Sequence, residues 1–388
     1  MPATRPARVA IVQRALRRYR AGFFDALRDD LAYDEIDLLL FHSTREAEED
    51  SRDDALEVPW AQHLERRVIS VGGRHLVWQP LVRELRTADL VIVEQAAQLA
   101  LNYRLLARQA LGGPRVAFWG HGRSFATDPS AVGERAKAGI STRAHWWFAH
   151  TSLSADVVAD LGFDRDRITT VDNAIDTTAL QRDLADVGDL ELRGLRDELG
   201  VGSGPIGLFL GNLRKEKRLD VLFTACDRIR SAVPGFELLV IGHGPEAASV
   251  AAAARDRPWL HDLGPRFDRD RARFLALADL LLVPAAVGLV VLDSFAAGAP
   301  LITSRTAGHG PEIAYLRDRE NGVLVEDGTD PDRYAHAVIE VLQDAALQQR
   351  LRAGCSADAS RYSIEAMSAR FAAGIRRALA APQRERRA

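Results

Sequence analysis

The sequence predicts an α/β protein built from two doubly wound domains, and three observations carry that expectation. Apolar runs of four to six residues alternate with amphipathic stretches of helix length, the pattern of parallel sheets covered by helices on both faces. A unit of helix, then Ala-Asp, then buried strand occurs once in each half, as LRTADLVIVE at 85–94 and LALADLLLVP at 275–284. The chain has 388 residues, more than one hydrophobic core comfortably serves.

In chain order, the first half offers strands RVAIVQ (8–13), IDLLLF (36–41), RVISV (67–71), ADLVIVE (88–94), RVAFWG (115–120), WWFAH (146–150) and ITTVDN (168–173). The second half offers IGLFLG (206–211), FELLVIG (236–242), WLHDLG (259–264), ADLLLVP (278–284), PLITS (300–304) and GVLVE (322–326). Between them the stretch 178–204 turns acidic and ends in a Gly/Ser cluster, the composition of a hinge. Beyond residue 330 the pattern is helical to the last apolar face, SIEAMSARFAAGIRRALAA. The expected organisation is therefore a first domain over 1–180, completed by the helix 364–380, a linker over 181–204 and a second domain over 205–363.

The charge balance of 51 basic and 54 acidic residues, net -3, gives no global field for nucleic acid or an anionic surface. Only Lys137, Lys215 and Lys217 are lysines, so in this Arg-rich chain a retained lysine draws notice. Cys226 and Cys355 stand far apart in helix-like sequence, which predicts buried thiols in a reducing, cytoplasmic setting. The N-terminal stretch has no apolar leader segment, and the most apolar window, 280–292, is too short to span a bilayer.

Ligands of open α/β sheets bind beyond the carboxyl ends of the strands, so two such domains predict a cleft lined by strand-end loops. Four loops stand out. After IGLFLG, the loop GNLRKEKR puts Gly211 and Asn212 before Arg214, Lys215, Lys217 and Arg218, where the next helix start and the cations suit a diphosphate. After ADLLLVP, a small-residue loop leads through Val287, Gly288, Leu289 and Val290 into a helix whose first amides suit an anion, with Asp293 a turn inside. After RVAFWG, His121 sits between Gly120 and Gly122. After RVAIVQ, Arg14, Arg17, Arg18 and Arg20 crowd before Gly22 with Tyr19 among them, a composition for an acidic or phosphorylated ligand. GHGPE occurs at 242–246 and 308–312, each copy read as glycine leaving a strand and Pro-Glu opening a helix. No dinucleotide fingerprint follows the first strand, and no nucleophile elbow occurs.

Taken in order, GNLRKEKRLDVL, LLVIGHGPE, LHDLG, ADLLLVP, VGLVVLDSFAAGAPLIT, GHGPEI and NGVLVEDGTDP resemble the donor domain of glycosyltransferase family 4. FWGHGR and the segment around VDNAID resemble the family's acceptor domain. The resemblance implies the GT-B fold and a retaining transfer of a hexose-type unit from a UDP- or GDP-sugar to an acceptor hydroxyl in glycan, glycolipid or natural-product glycoside biosynthesis. It implies catalytic roles for Lys217, Arg214 and His121. It implies donor contacts from Gly211, Asn212, Gly242, Val287, Gly288, Leu289, Val290 and Asp293, with Arg266 and Phe267 near the base, and acceptor contacts from Arg14, Tyr19, Arg20, Gly22 and Glu94. No metal or cofactor is expected, the nucleotide sugar being a substrate. The expected location is cytoplasmic, with peripheral contact at the inner membrane face left open. Two departures stand: the family's Glu-x7-Glu pair falls on Ala285 and Asp293, and its usual Arg after the first donor strand is Asn212. They imply an altered donor-sugar pocket and keep a binding-only protein, an epimerase or a phosphorylase as rival readings.

Overall fold

The computed structural model describes residues 5–43, 58–71, 74–123, 138–306 and 308–383. The chain divides into two compact units, Met1–Asn173 with Ile364–Ala388, and Ala174–Ser363.

The first unit is built on a seven-stranded parallel sheet in the order β3-β2-β1-β6-β7-β8-β9. Its strands are β1 (Ala7–Gln13), β2 (Ile36–Ser43), β3 (Gln62–Leu64), β6 (Leu90–Glu94), β7 (Arg115–Gly120), β8 (Trp146–Ala149) and β9 (Ile168–Thr170). The central strands are continuous apolar runs because helices cover both faces; Val9 to Val12, Leu90 to Val93 and Val116 to Trp119 are all buried. The covering helices are α1 (Ala21–Ala32), α2 (Arg83–Thr87), α3 (Ala100–Ala110) and α4 (Ser152–Asp160).

RVISV does not join this sheet. It forms β4 (Arg67–Val71), paired antiparallel with β5 (Arg74–Trp78) in a two-stranded ribbon. Ile69 faces its register partner Leu76 and both are exposed, while Val77 behind them is buried. A strand buried on one side only fits an antiparallel ribbon, not the interior of a parallel sheet.

The second unit carries a six-stranded parallel sheet in the order β12-β11-β10-β13-β14-β15. Its strands are β10 (Ile206–Leu210), β11 (Glu237–Ile241), β12 (Leu260–Gly264), β13 (Leu280–Leu282), β14 (Leu301–Ser304) and β15 (Gly322–Val325). Its helices are α5 (Thr177–Ala185), α6 (Asp189–Leu199), α7 (Leu219–Ala232), α8 (Ala247–Asp256), α9 (Asp268–Leu277), α10 (Val290–Ala297), α11 (Pro331–Gln343) and α12 (Ala345–Arg361). Residues 181–204, expected as a linker, contain the end of α5 and all of α6 and group with this unit. Acidic residues open α6, Asp189 and Glu191, and Gly200 closes it in the left-handed conformation, so the acidic stretch with terminal glycines is a capped helix.

The last helix, α13 (Ile364–Ala380), groups with the first unit. Phe371 stacks on Phe148 of β8 with centroids 4.2 Å apart, and Arg376 pairs with Asp30 of α1 and with Asp34 in the turn after it. Gly374 lets the helix lie close on the sheet: a Cβ there would come within 2.6 Å of Thr169 Oγ1. Cys226 and Cys355 are buried free thiols. Among the described residues, no helix is long and apolar enough to cross a membrane.

Candidate functional site

In the second unit, the loops after β10, β13 and β14 meet, because those strands are neighbours in the sheet. Lys217, in a short 3-10 turn after β10, donates from Nζ to the Ala286 carbonyl at 2.6 Å. Burial of its ammonium lowers its pKa to about 8. The Val287 amide donates to Nδ1 of His309 at 3.1 Å, and the Gly310 amide donates to the Val287 carbonyl at 2.7 Å. His309 Nε2 lies 2.7 Å from the Ser304 carbonyl. An amide can only donate and a carbonyl only accept, so His309 is neutral with its proton on Nε2. Burial lowers its pKa, the Ser304 bond opposes that shift, and the charge of Lys217 adds to it. Between these anchors Ala286 holds φ of 52°, a left-handed conformation that a non-glycine residue keeps only when its surroundings fix it.

The loop then enters α10, VVLDSFAA, in which Val290 to Phe295 are all buried, Asp293 and Ser294 among them. Leu289 is its N-cap and offers no side-chain cap, and among the described residues the amides of Gly288, Leu289 and Val290 find no acceptor. Free amides at a helix start have the chemistry to receive an anion. Asp293 lies in the same buried helix at 6 % exposure, and burial raises its carboxyl pKa against the opposing charge of Arg271. Arg271 Nη1 stands 3.2 Å from Asp293 Oδ1 but outside hydrogen-bonding geometry, which leaves that oxygen buried without a hydrogen bond.

The remaining expected donor-side residues divide. Gly211 (φ 151°) and Gly242 pack backbone on backbone, for a Cβ on Gly242 would sit 2.0 Å from the Gly211 carbonyl oxygen. This explains the first GHGPE copy: its glycines let the turn after β11 lie against the turn after β10. Asn212 is half-buried and its carbonyl accepts from the Arg214 amide at 3.1 Å, while the Arg214 side chain is exposed. Arg218 is engaged by Asp220 at 2.9 Å. Of that loop's four cations, Lys217 is the one bonded to the 286–289 loop. Arg266 pairs with Asp270 at 3.4 Å, and Phe267 is 57 % exposed on the loop before α9.

In the first unit, the ends of β1, β6, β7 and β8 gather a different set. Glu94 accepts from the Arg14 amide at 2.7 Å and from Arg14 Nε at 2.6 Å. Arg20 donates to Gln13 Oε1 at 2.9 Å and lies over Trp119 at 4.4 Å and beside Tyr19 at 5.3 Å. Gly22 is the second residue of α1. His121 meets His150 Nδ1 to Nδ1 at 2.9 Å, its ring perpendicular to its partner's at 4.0 Å. Burial, then the nearby His121 and Arg20, holds the His150 pKa well below its ordinary value. Gln95 clamps the turn by accepting from the Gly122 amide at 3.0 Å and donating to its carbonyl at 2.9 Å. Ser124 and Phe125 of the VAFWGHGRSF segment lie outside the described residues.

Sequence reasoning brought Lys217, Asp293 and the helix start together and missed His150, His309 and Gln95. His150 ends WWFAH as His121 follows RVAFWG, a parallel that was there to be read.

Residues 204–344 match the family model described as "Glycosyl transferases group 1". The chain is similar to a D-inositol 3-phosphate glycosyltransferase of Acidothermus cellulolyticus, 32% identical over 230 residues, which are 55% of this chain and 49% of that one. It is also similar to a GDP-mannose-dependent alpha-(1-6)-phosphatidylinositol monomannoside mannosyltransferase of Mycobacterium tuberculosis, 32% identical over 164 residues, 39% of this chain and 41% of that one. The chain thus spans about half the length of the curated relatives it matches. Among solved structures, Anabaena HepE in complex with UDP superimposes with TM-score 0.67 at 14% identity, covering 95% of this chain and 99% of that one. A likeness at that identity concerns the fold, while the family match concerns the residues that carry the second-unit site. Two parallel α/β sheets and that structural likeness give the GT-B fold, and residues 204–344 of the second unit are similar to the group 1 glycosyl transferases.

Proposed function

We propose that the protein is a retaining glycosyltransferase that moves a hexose-type unit from a UDP- or GDP-sugar to an acceptor hydroxyl. The observation that carries this reading is the meeting of Lys217 with the 286–289 loop at a helix start whose amides lack acceptors. A diphosphate placed there would draw the Lys217 ammonium from Ala286 and accept from Gly288 and Leu289, which supports charge stabilisation as the leaving group departs. The ribose hydroxyls would donate to the buried Asp293 oxygen that has no hydrogen bond, and Phe267 would stack on the base.

In the proposed step the acceptor oxygen bonds to the anomeric carbon on the face from which the diphosphate leaves. The anomeric carbon–oxygen bond breaks, and the acceptor proton passes to the departing phosphate oxygen. No carboxylate nucleophile is then needed. Arg214 would add charge at the diphosphate, and His121, set by Gln95 and His150, would orient the sugar. Arg14, Tyr19, Arg20, Gly22 and Glu94 form the proposed acceptor side, and Arg20 suits an acceptor bearing phosphate. Lys217 and the free amides supply the counter-charge, so we propose that no metal ion is required.

A thermal-shift screen over UDP-, GDP- and dTDP-sugars tests the donor site, since a native-state ligand at about 100 times its Kd adds roughly 2.7 kcal/mol of stability. A coupled assay for released nucleoside diphosphate with phosphorylated polyols or lipids as acceptors tests transfer. Retention of anomeric configuration in the product is the expected stereochemistry; inversion overturns the mechanism.

A further inference from the structure

We propose that His309 is a positioning residue: a two-ended hydrogen-bonding strut, from the Ser304 carbonyl to the Val287 amide, that holds the 286–289 loop in its diphosphate-binding shape. This inference rests on the donor-site reading of the second unit. His309 belongs to the second GHGPE, where the pentapeptide opens a 3-10 turn (Pro311–Tyr315) and its histidine reaches back under the neighbouring loop.

Three contacts fix the left-handed Ala286 and its neighbour. Lys217 holds the Ala286 carbonyl, His309 the Val287 amide, and the Gly310 amide the Val287 carbonyl. A diphosphate that recruits Lys217 removes the first. The loop's shape in the loaded state then depends on His309 and Gly310, the two contacts that the ligand does not compete for. Gly310 cannot easily be varied, because a Cβ there would lie 2.8 Å from Glu312 Oε2 and 3.2 Å from the Val287 carbonyl. His309 is buried at 8 % exposure, so it acts through the loop and not by touching the bulk of the ligand. With Val287 fixed, the amides of Gly288 and Leu289 that follow are aimed without a search for conformation.

The test uses the full chain with UDP and GDP as probes, and three measurements. In the unsubstituted protein, nitrogen-15 spectra of labelled histidine at neutral pH should show His309 as the neutral form protonated on Nε2; a proton on Nδ1 overturns the strut. His309→Leu removes both ends and should weaken nucleoside diphosphate binding about tenfold, the loss expected when a buried amide is orphaned. It should raise donor KM with the acceptor KM unchanged. His309→Gln offers an acceptor and a donor in one side chain and should restore affinity to within about threefold. Unchanged affinity in the Leu variant, or no recovery in the Gln variant, overturns the proposal. If the Leu variant fails to fold, the Gln variant and the histidine spectrum decide. If the unsubstituted protein binds neither probe, the donor-site reading fails, and the spectrum still judges the strut.

Discussion

The two strand-end clusters are made of different material. In the first unit, side chains do the work: Arg14 with Glu94, Arg20 on Trp119 and Gln13, and His121 on His150. In the second unit the groups offered to a ligand are mostly backbone, the amides at the start of α10, with one lysine and one buried carboxylate beside them. Backbone amides present the same donors whatever the side chain, so a site of that kind binds a constant chemical feature such as a diphosphate. Side chains differ from one protein to the next, so a site made of them suits the variable partner. Under the proposed function, the contrast would give the constant part of the reaction to the second unit and its specificity to the first.

Four experiments would break or sharpen that contrast. The largest effect is expected at Lys217: Lys217→Ala should lower transfer about 10²- to 10³-fold, the loss seen when one stabiliser of developing charge is removed. Unchanged turnover with every accepted donor would remove Lys217 from the reaction. Asp293→Ala should come next, with nucleoside diphosphate affinity falling about tenfold and the affinity for inorganic diphosphate unchanged. Equal losses for both ligands would assign Asp293 to the phosphates. His121→Ala should lower kcat by about tenfold to a hundredfold and leave nucleoside diphosphate affinity intact. A drop in that affinity would contradict the division of labour between the units.

The smallest effect is the response to pH, which separates donor binding through Lys217, lost on the alkaline side, from the stability contributed by the buried histidines, lost on the acid side. Lys217 has its pKa lowered to about 8, so the free protein loses this charge as pH rises through that value, and nucleoside diphosphate affinity should decline above it. His150 is lowered below its ordinary value near 6.5, so the unfolded chain takes up the proton first. The stability of its neutral state is fully present above 6.5 and is lost as pH falls below it. His309 shares that direction. His150→Gln should therefore flatten the fall of Tm on the acid side; a Tm profile identical to that of the unsubstituted chain would show that His150 does not govern it.

Much of this plan was legible in the sequence, for physical reasons. Strands such as AIVQ, LVIVE and GLFL announced themselves because parallel strands under two helix layers are apolar throughout. RVISV was apolar enough to look the same, and only its exposed partner face reveals the ribbon. QHL at 62–64 is polar and short, so its pairing with β2 could not be seen. Lys217 was conspicuous in a chain almost without lysine. His309 was not, because its role depends on β10, β13 and β14 being neighbours in the sheet. A single sequence gives no strand order, so three loops separated by dozens of residues cannot be assembled from it. The twin GHGPE shows the same limit: identical letters serve a close backbone crossing in one place and a loop strut in the other.

The place of α13 has a consequence for biosynthesis. Phe371, Gly374 and Arg376 complete the first unit, yet they are translated after the whole second unit. On the ribosome the second unit has all its parts and can fold while the first still exposes Phe148 and the aromatic floor around Trp119. Until α13 is made, that surface of the nascent first unit lacks its native cover.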